Sequence, residues 1–225
     1  MKIVFDGGYT IWSAGDDAPL GFLLDRFRKA LPADTEYVVL ARHPSEEFEK
    51  HFGVKTVHSL EHETKEASIG RWFNGLNFSD DRNYIKSIVD EIRTADLLIL
   101  GAGNFLTEVG LDVLRGHLSR FSVLTLIAQM FDVKVMLFGL SANKLTNVYT
   151  KAAAQWLLNN ADAVTFREEE AIRNLIHSGI SLPPYTLLPD AAIGAPQPLN
   201  GRGREILKQE NIPLERFNRL AILIS

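Results

Sequence analysis

Short runs of apolar, mostly β-branched residues recur along this chain. Each is followed by a longer stretch whose apolar positions return every third or fourth residue. Ile3-Val4-Phe5, Tyr37-Val38-Val39-Leu40 and Leu97-Leu98-Ile99-Leu100 are the strongest runs. Val135-Met136-Leu137-Phe138 and Ala163-Val164-Thr165-Phe166 repeat the pattern, and residues 54–57 make a weaker one. Apolar character at nearly every position is what parallel strands covered on both faces require. Leu20, Leu23, Leu24, Phe27 and Leu31 form a helical stripe behind Asp16, a good N-cap, with Pro19 in the first turn. Ile85, Ile88, Val89 and Ile92 make a second stripe, and residues 105–115, 119–131, 148–159 and 168–178 predict further helices. This alternation predicts an α/β fold with a doubly wound parallel sheet.

Two stretches break the rhythm. Residues 59–80 carry His62, Trp72, Phe73 and Phe78 with no steady period, which predicts a long loop or an insertion. Residues 183–204 are rich in Pro and Gly and predict a domain exit. A helical pattern over 205–211 follows, then Pro213 and the apolar run Leu220-Ala221-Ile222-Leu223-Ile224. The expected division is a Rossmann-like domain over 1–196, with 197–225 a linker and the first helix and strand of a truncated second domain. An unpaired apolar strand of that kind invites pairing with another chain, so a homodimer, or folding of the strand onto the protein's own surface, is expected.

The composition excludes several chemistries. The net charge of −4 is spread along the 225 residues and offers no basic face for nucleic acid. With no cysteine, disulfides, thiolate catalysis and Cys-based zinc sites are excluded. No run approaches the ~20 apolar residues a membrane span needs, and the N-terminus lacks a signal-peptide pattern, so a soluble cytoplasmic protein is expected. His58 and His62 share an i, i+4 spacing without a third ligand, so no metal site is expected.

In a doubly wound sheet, ligands gather beyond the C-terminal ends of the strands, near the point where strand order reverses. Four segments lie there. Gly7-Gly8-Tyr9 leads into Gly15-Asp16-Asp17, where glycines permit close approach and a helix N-terminus favours an anion; turn-making and capping would use the same residues. Gly101-Ala102-Gly103-Asn104-Phe105 follows the strongest strand, but lacks the third glycine of a dinucleotide fingerprint. Gly139-Leu140-Ser141-Ala142-Asn143-Lys144 offers small polar groups to a phosphate or sugar hydroxyl, or makes an ordinary turn. Arg167 ends the last strand before Glu168-Glu169-Glu170: the acids suit a helix dipole, and the guanidinium suits a carboxylate or phosphate, or a structural bridge between loops.

Taken in order, these segments resemble the polysaccharide pyruvyl transferase family. The resemblance rests on the opening strand and Gly–Tyr loop, on Gly15-Asp16-Asp17-Ala18, and on residues 96–106. It continues through Ala161-Asp162-Ala163-Val164-Thr165-Phe166-Arg167-Glu168-Glu169 and Leu188-Pro189-Asp190-Ala191-Ala192. It covers the whole chain but only part of a family member. Ala102 stands where the family usually has a third successive glycine, and Glu168 where it usually has Asp.

The resemblance implies the N-terminal domain of a GT-B-like two-domain architecture and transfer of the pyruvyl unit of phosphoenolpyruvate to a sugar as a ketal, in cell-surface polysaccharide synthesis. It implies no cofactor beyond phosphoenolpyruvate as donor substrate, and a saccharide acceptor, lipid-linked or polymeric. Ketal formation needs an acid, a base and cations for the donor. Asp16 and Glu108 are the candidate catalytic carboxylates. Gly8, Tyr9, Gly15, Gly101, Gly103, Asn104, Phe105, Ser141, Asn143 and Arg167 are the candidate substrate-binding residues. Most donor-binding cations are expected in the second domain, so this chain alone is expected to be inactive. The alternatives are a GT-B glycosyltransferase using a nucleotide sugar, a catalytically degenerate glycan or partner binder and, third, a dinucleotide oxidoreductase.

Overall fold

The computed structural model describes residues 1–10, 13–60, 78–108, 116–194, 205 and 208–211. The chain divides into two compact units, Met1–Ala195 and Pro196–Ser225. In the second, Lys208 and Gln209 are helical and Asn211 has a φ of 56°. Of the loop expected over 59–80, residues 61–77 lie outside the described residues, as does the apolar run at 220–224, and residues 78–80 are helical instead.

Seven parallel strands of the first unit form one sheet in the order β3-β2-β1-β4-β5-β6-β7. They are β1 (Lys2–Asp6), β2 (Glu36–Ala41), β3 (Lys55–His58), β4 (Leu97–Leu106), β5 (Lys134–Ala142), β6 (Ala163–Phe166) and β7 (Thr186–Leu187). The described helices are α1 (Ala14–Ala30), α2 (Glu46–Phe52), α3 (Phe78–Arg93), α4 (His117–Met130), α5 (Val148–Asn159) and α6 (Glu169–His177), followed by a 3₁₀ turn at Ala191–Gly194. The expected doubly wound, Rossmann-like sheet is the one observed.

The period of two along each strand sorts the core. Ile3, Phe5, Val39 and Ile99 pack with Leu20, Leu23 and Leu24 of α1 and Phe48 and Phe52 of α2. Val4, Val38, Leu98 and Leu100 face the other way, onto Ile88, Phe121, Leu157 and Leu175 of α3, α4, α5 and α6. Two helices therefore cover one face and four the other. That follows from right-handed crossovers: connections running from β1 out to β3 pass over one face, and those from β3 back through β7 pass over the other. The direction changes between β1 and β4.

Several expectations need correction. β4 and β5 run through the segments read as loops and as the start of a helix at 105: Gly103 pairs with Leu140, Asn104 with Ser141 and Leu106 with Ala142. The remainder of the helix expected there, residues 109–115, lies outside the described residues. The N-cap of α1 is Ser13, and Asp16 lies inside the first turn. Helix α2 has no counterpart in the hydrophobic pattern because it is short. Its ends are defined by polar contacts: the Ser45 hydroxyl accepts from Phe48 N at 3.1 Å, and Gly53 closes it at a φ of 62°. Arg28 of α1 donates to the carbonyls of Phe52 and Gly53, joining the two helices. Residues 186–194 continue the first unit, because β7 pairs with β6 and Ala191 is buried beneath α1.

The N-terminal ends of the strands are held by charge. Glu91 of α3 accepts from both Lys2 and Lys55, and Asp96 accepts from Lys2 N at 2.7 Å. Burial alone would raise Glu91, but the two ammonium groups outweigh it and hold its carboxyl below the ordinary range. A depressed folded pKa contributes stability above the unfolded value that is lost as pH falls through the folded one. Glu91→Gln should therefore lower stability by about 1–3 kcal/mol at pH 7, a deficit that narrows below about pH 4 in urea titrations at both pH values.

Candidate functional site

The crossovers change direction between β1 and β4, and a doubly wound sheet has its crevice beyond the strand ends at such a point. Backbones meet beneath it. A Cβ on Gly7 would lie 2.0 Å from the Gly101 carbonyl oxygen, and one on Gly101, at a φ of 140°, would lie 2.0 Å from that of Phe138. Only glycine fits at either place. Tyr9 is fully buried and its hydroxyl donates to the Gly101 carbonyl. Burial, then the nearby Asp6 carboxylate, push that hydroxyl well above the ordinary tyrosine range, so it is an un-ionised brace. Of the expected binding residues, Tyr9, Gly101 and Phe105 thus form the floor. Gly103 lies against the Phe105 ring, while Gly8, at a φ of 75°, borders the opening.

Three residues that sequence reasoning did not select complete this floor. Asp6 ends β1 with no exposed surface, and its Oδ2 lies 3.0 Å from Nε of Arg120, whose side chain is 4% exposed. Arg120 also lies 2.9 Å from Nδ1 of His117, the first residue of α4. The imidazole packs on Phe105 with ring centres 4.5 Å apart. Asp6 ends an apolar strand, where a buried acid needs a partner, and that was the available signal. The partner could not be found from sequence because it lies far along the chain.

A fourth is Asp17. Its carboxylate accepts from Thr10 N at 2.8 Å, which ties the first turn of α1 to the loop after β1. Burial, with a further contribution from the charge of Asp16, pushes Asp17 up to about 6 against the hydrogen bonds from Thr10 and Ser13. Asp16 is exposed beside it, and Gly15 has open space around it. The Gly15-Asp16-Asp17 motif was legible; which of the two acids turns inward was not.

The remaining candidates gather beyond β4, β5 and β6. Asn104 donates to Asn143 at 3.3 Å, and the Ser141 hydroxyl donates to the Glu168 carboxylate. Glu108 accepts from Thr146 N, Thr146 Oγ1 at 2.9 Å and Asn147 N at 3.0 Å, just ahead of α5. Those bonds, from the backbone of Thr146 and Asn147 first, hold it down to about 2. Arg167 pairs with Asp190 at 3.0 Å, both partly exposed, and Asp190 also caps the 3₁₀ turn through Ala192 N at 2.9 Å. The ends of two resembling motifs meet in this pair. Among the described residues no three His, Asp or Glu side chains could jointly hold a metal ion, and no helix is long and apolar enough to cross a membrane.

A family model described as polysaccharide pyruvyl transferase matches residues 4–223. Among solved structures, Anabaena HepE in complex with UDP and glucose matches at 11% identity and a TM-score of 0.50, over 84% of this chain and 44% of that one. UDP-GlcNAc 2-epimerase from Neisseria meningitidis bound to UDP-GlcNAc matches at 13% identity and 0.49, over 94% and 51%. The lipopolysaccharide outer core galactosyltransferase WaaB matches at 12% and 0.47, over 80% and 43%. At such identities the likeness to HepE is one of fold, and GT-B proteins are matched over only part of their chains. This chain spans about half the length of these solved proteins. No curated protein matches the sequence at a significant level.

The Asp17 geometry has a measurable consequence. Its raised folded value means that the ionised form is penalised in the native state, so stability falls between about pH 4 and pH 6 and is flat above. Asp17→Asn keeps the acceptor for Thr10 without the charge. The variant should match the parent at pH 4 and exceed it at pH 7.5 by about 1 kcal/mol after solvent screening, read by thermal melts at both pH values.

Proposed function

Because this chain belongs to the polysaccharide pyruvyl transferase family, we propose that it takes part in moving the pyruvyl unit of phosphoenolpyruvate onto a sugar as a cyclic ketal. The match of the family model over residues 4–223 carries this reading. In the reaction the donor's methylene gains a proton and becomes methyl, and two sugar hydroxyl oxygens bond to the adjacent carbon. The carbon–oxygen bond to phosphate breaks. Of the two hydroxyl protons released, one balances the proton placed on the methyl carbon and the other leaves with phosphate.

Asp17 is the acid of this scheme, because a carboxyl at about 6 holds its proton close to neutral pH and can be reprotonated quickly. Asp16, exposed on the same turn, is the carboxylate for an acceptor hydroxyl. Two neighbouring acids whose surroundings differ make a usual division between acid and base. Glu108 is the weaker candidate base: its oxygens already serve three donors, and at about 2 it has little affinity for a proton. Arg167 is the cation best exposed to a donor carboxylate or phosphate, with Asp190 holding the guanidinium in place. Phosphoenolpyruvate supply places the reaction in the cytoplasm, and the acceptor is a saccharide of the growing polysaccharide or its lipid-linked precursor.

Because the chain by itself is expected to be inactive, the reading is tested on the longest gene product that contains it, incubated with phosphoenolpyruvate and a panel of methyl glycosides, with phosphate release and the ketal methyl signal as readouts. Phosphate release that depends on both substrates is expected. Release of UDP from UDP-glucose in the presence of a glycoside, or binding of UDP-glucose with no response to phosphoenolpyruvate, would replace this reading with nucleotide-sugar glycosyl transfer. Asp17→Asn should cut turnover about 100-fold while leaving the protein folded, and the parent's rate should decline above about pH 6, where Asp17 loses its proton. Turnover within twofold of the parent would remove Asp17 from the role of acid.

A further inference from the structure

Away from the crevice, α4 and α5 pack side by side over the sheet. Their sequences carry little charge: none between Arg120 and Asp132, and only Lys151 in α5. Two cavities follow the seam between them. One, of about 320 Å³, is lined by Leu126 and Trp156, which are 52% and 36% exposed, with Val123 and Ala153 beside them. The other, of about 420 Å³, lies where both helices end and β5 and β6 begin, and Gln129, Asn159, Asn160 and Asp162 border it. Both volumes fall in the range of small-molecule sites, about 300–1,000 Å³. Leu126 and Gln129 are neighbours on one face of α4, as Trp156 and Asn160 are on α5, so the cavities are about one helical turn, or 5.4 Å, apart.

The polar cavity is held in shape by its own contacts. Gln129 Nε2 donates to Asn160 Oδ1 at 2.7 Å, and Asn160 Nδ2 donates to the Trp156 carbonyl at 2.7 Å. Asp162 pairs with Lys134 at 2.8 Å and accepts from Val135 N at 2.9 Å, which leaves the ammonium neutralised. Asn159 Oδ1 accepts from Gln155 at 3.0 Å. The Gln129 side-chain carbonyl and the Asn159 side-chain N–H groups keep hydrogen-bonding capacity to spare. Both helices also turn the negative ends of their dipoles this way, which disfavours a phosphate, a carboxylate or an anionic membrane. A pyranose ring suits the place: its hydroxyls are uncharged donors and acceptors, its C–H face is apolar enough to lie on an indole, and its length along a chain is close to one helical turn.

We propose that the α4–α5 seam is a second glycan-binding site, which holds an uncharged stretch of the acceptor polysaccharide with one ring on Trp156 and the next among Gln129, Asn159 and Asn160. That the glycan is the acceptor rests on the reading above; that the seam takes neutral sugar rings does not. The polar cavity lies at Lys134, where β5 begins, and the strand runs about 26 Å from there to Ala142, at about 3.3 Å per residue. A chain held on the seam is therefore anchored several sugar units from its reacting end. Such an anchor raises the local concentration of a polymeric acceptor and does nothing for a single glycoside.

The longest gene product that contains this chain, labelled with nitrogen-15 at tryptophan, tests this with cellohexaose, laminarihexaose and mannohexaose as probes. The Trp156 indole signal is assigned through Trp156→Phe. A hexasaccharide should move that signal, methyl glucoside should move it far less, and phosphoenolpyruvate should leave it in place. Trp156→Ala should cut the affinity for the hexasaccharide about tenfold, and Trp156→Phe should recover part of the loss. Asn159→Ala, at an exposed position, should cut it about threefold and serves if Trp156→Ala does not fold. Silence of the Trp156 signal to all three hexasaccharides, an equal response to phosphoenolpyruvate, or unchanged affinity in the folded variants would overturn the proposal. So would a signal that moves with protein concentration alongside a dimer lost in Leu126→Glu, which would make the seam an interface between copies. In turnover, Trp156→Ala should raise the KM for a pyruvylated hexasaccharide about tenfold and leave kinetics on methyl glycosides unchanged; equal losses on both would overturn the anchoring role. Hexasaccharide binding at Trp156 without pyruvyl transfer would overturn the reaction and leave the site, and transfer with a silent Trp156 would do the reverse.

Discussion

Between β1 and β4 the backbones approach so closely that side chains are excluded, and that approach decides what the crevice above can be. Parallel neighbours pass their connections over opposite faces only at this boundary, and the polar group that ends β1, Asp6, is buried there. Closing the floor beneath them takes glycine at 7 and 101, with the Tyr9 hydroxyl donating across to the Gly101 carbonyl.

The second consequence of this floor is electrical. Asp6 reaches the end of β1 in a region with no water, and a lone buried carboxylate there would cost several kcal/mol. Arg120 offsets this, but a salt bridge in such a place is weak evidence for stability, because apolar residues of similar volume often do as well. The arginine's second contact, with His117, is one that an apolar substitute would lack. A guanidinium can hold a carboxylate and an imidazole together because its donors are fixed in one plane, and a lysine would have to choose between them.

Much of the fold was legible because strands buried on both faces leave a signal that does not depend on distant contacts. Ile3-Val4-Phe5 and Leu97-Leu98-Ile99-Leu100 read as strands by composition alone, and residues 148–159 read as a helix with the observed bounds. Legibility failed where glycine interrupts a strand without ending it. The pairing of Gly103 with Leu140 and of Asn104 with Ser141 is fixed by the neighbouring strand, and nothing local announces it. Helix α2 escaped for a different reason, since two phenylalanines in seven residues make no periodic stripe. In the site, motif order located the loops, yet the side chains that do the electrostatic work depend on burial. Asp16 and Asp17 are chemically identical neighbours, separated only by which one the first turn of α1 points at Thr10 N. His117 and Arg120 carry no motif and became visible only when Asp6 required a partner.

Taken together, the charges at the C-terminal ends of the strands are sorted. Among the described residues around β1 and β4, Arg120 is paired with Asp6 beside the further acids Asp16 and Asp17, whereas beyond β6 Arg167 stays partly exposed with Asp190. The penalty on ionised Asp17 comes first from burial, and the charge of Asp16 beside it adds to that penalty. The N-terminus of α1, whose dipole favours anions, does not reverse this, because desolvation acts on the whole charge and the dipole on only about half of one. The Asp17 proton is therefore set by how deeply the first turn of α1 is buried, and a substitution that opened that turn to water would release it at lower pH.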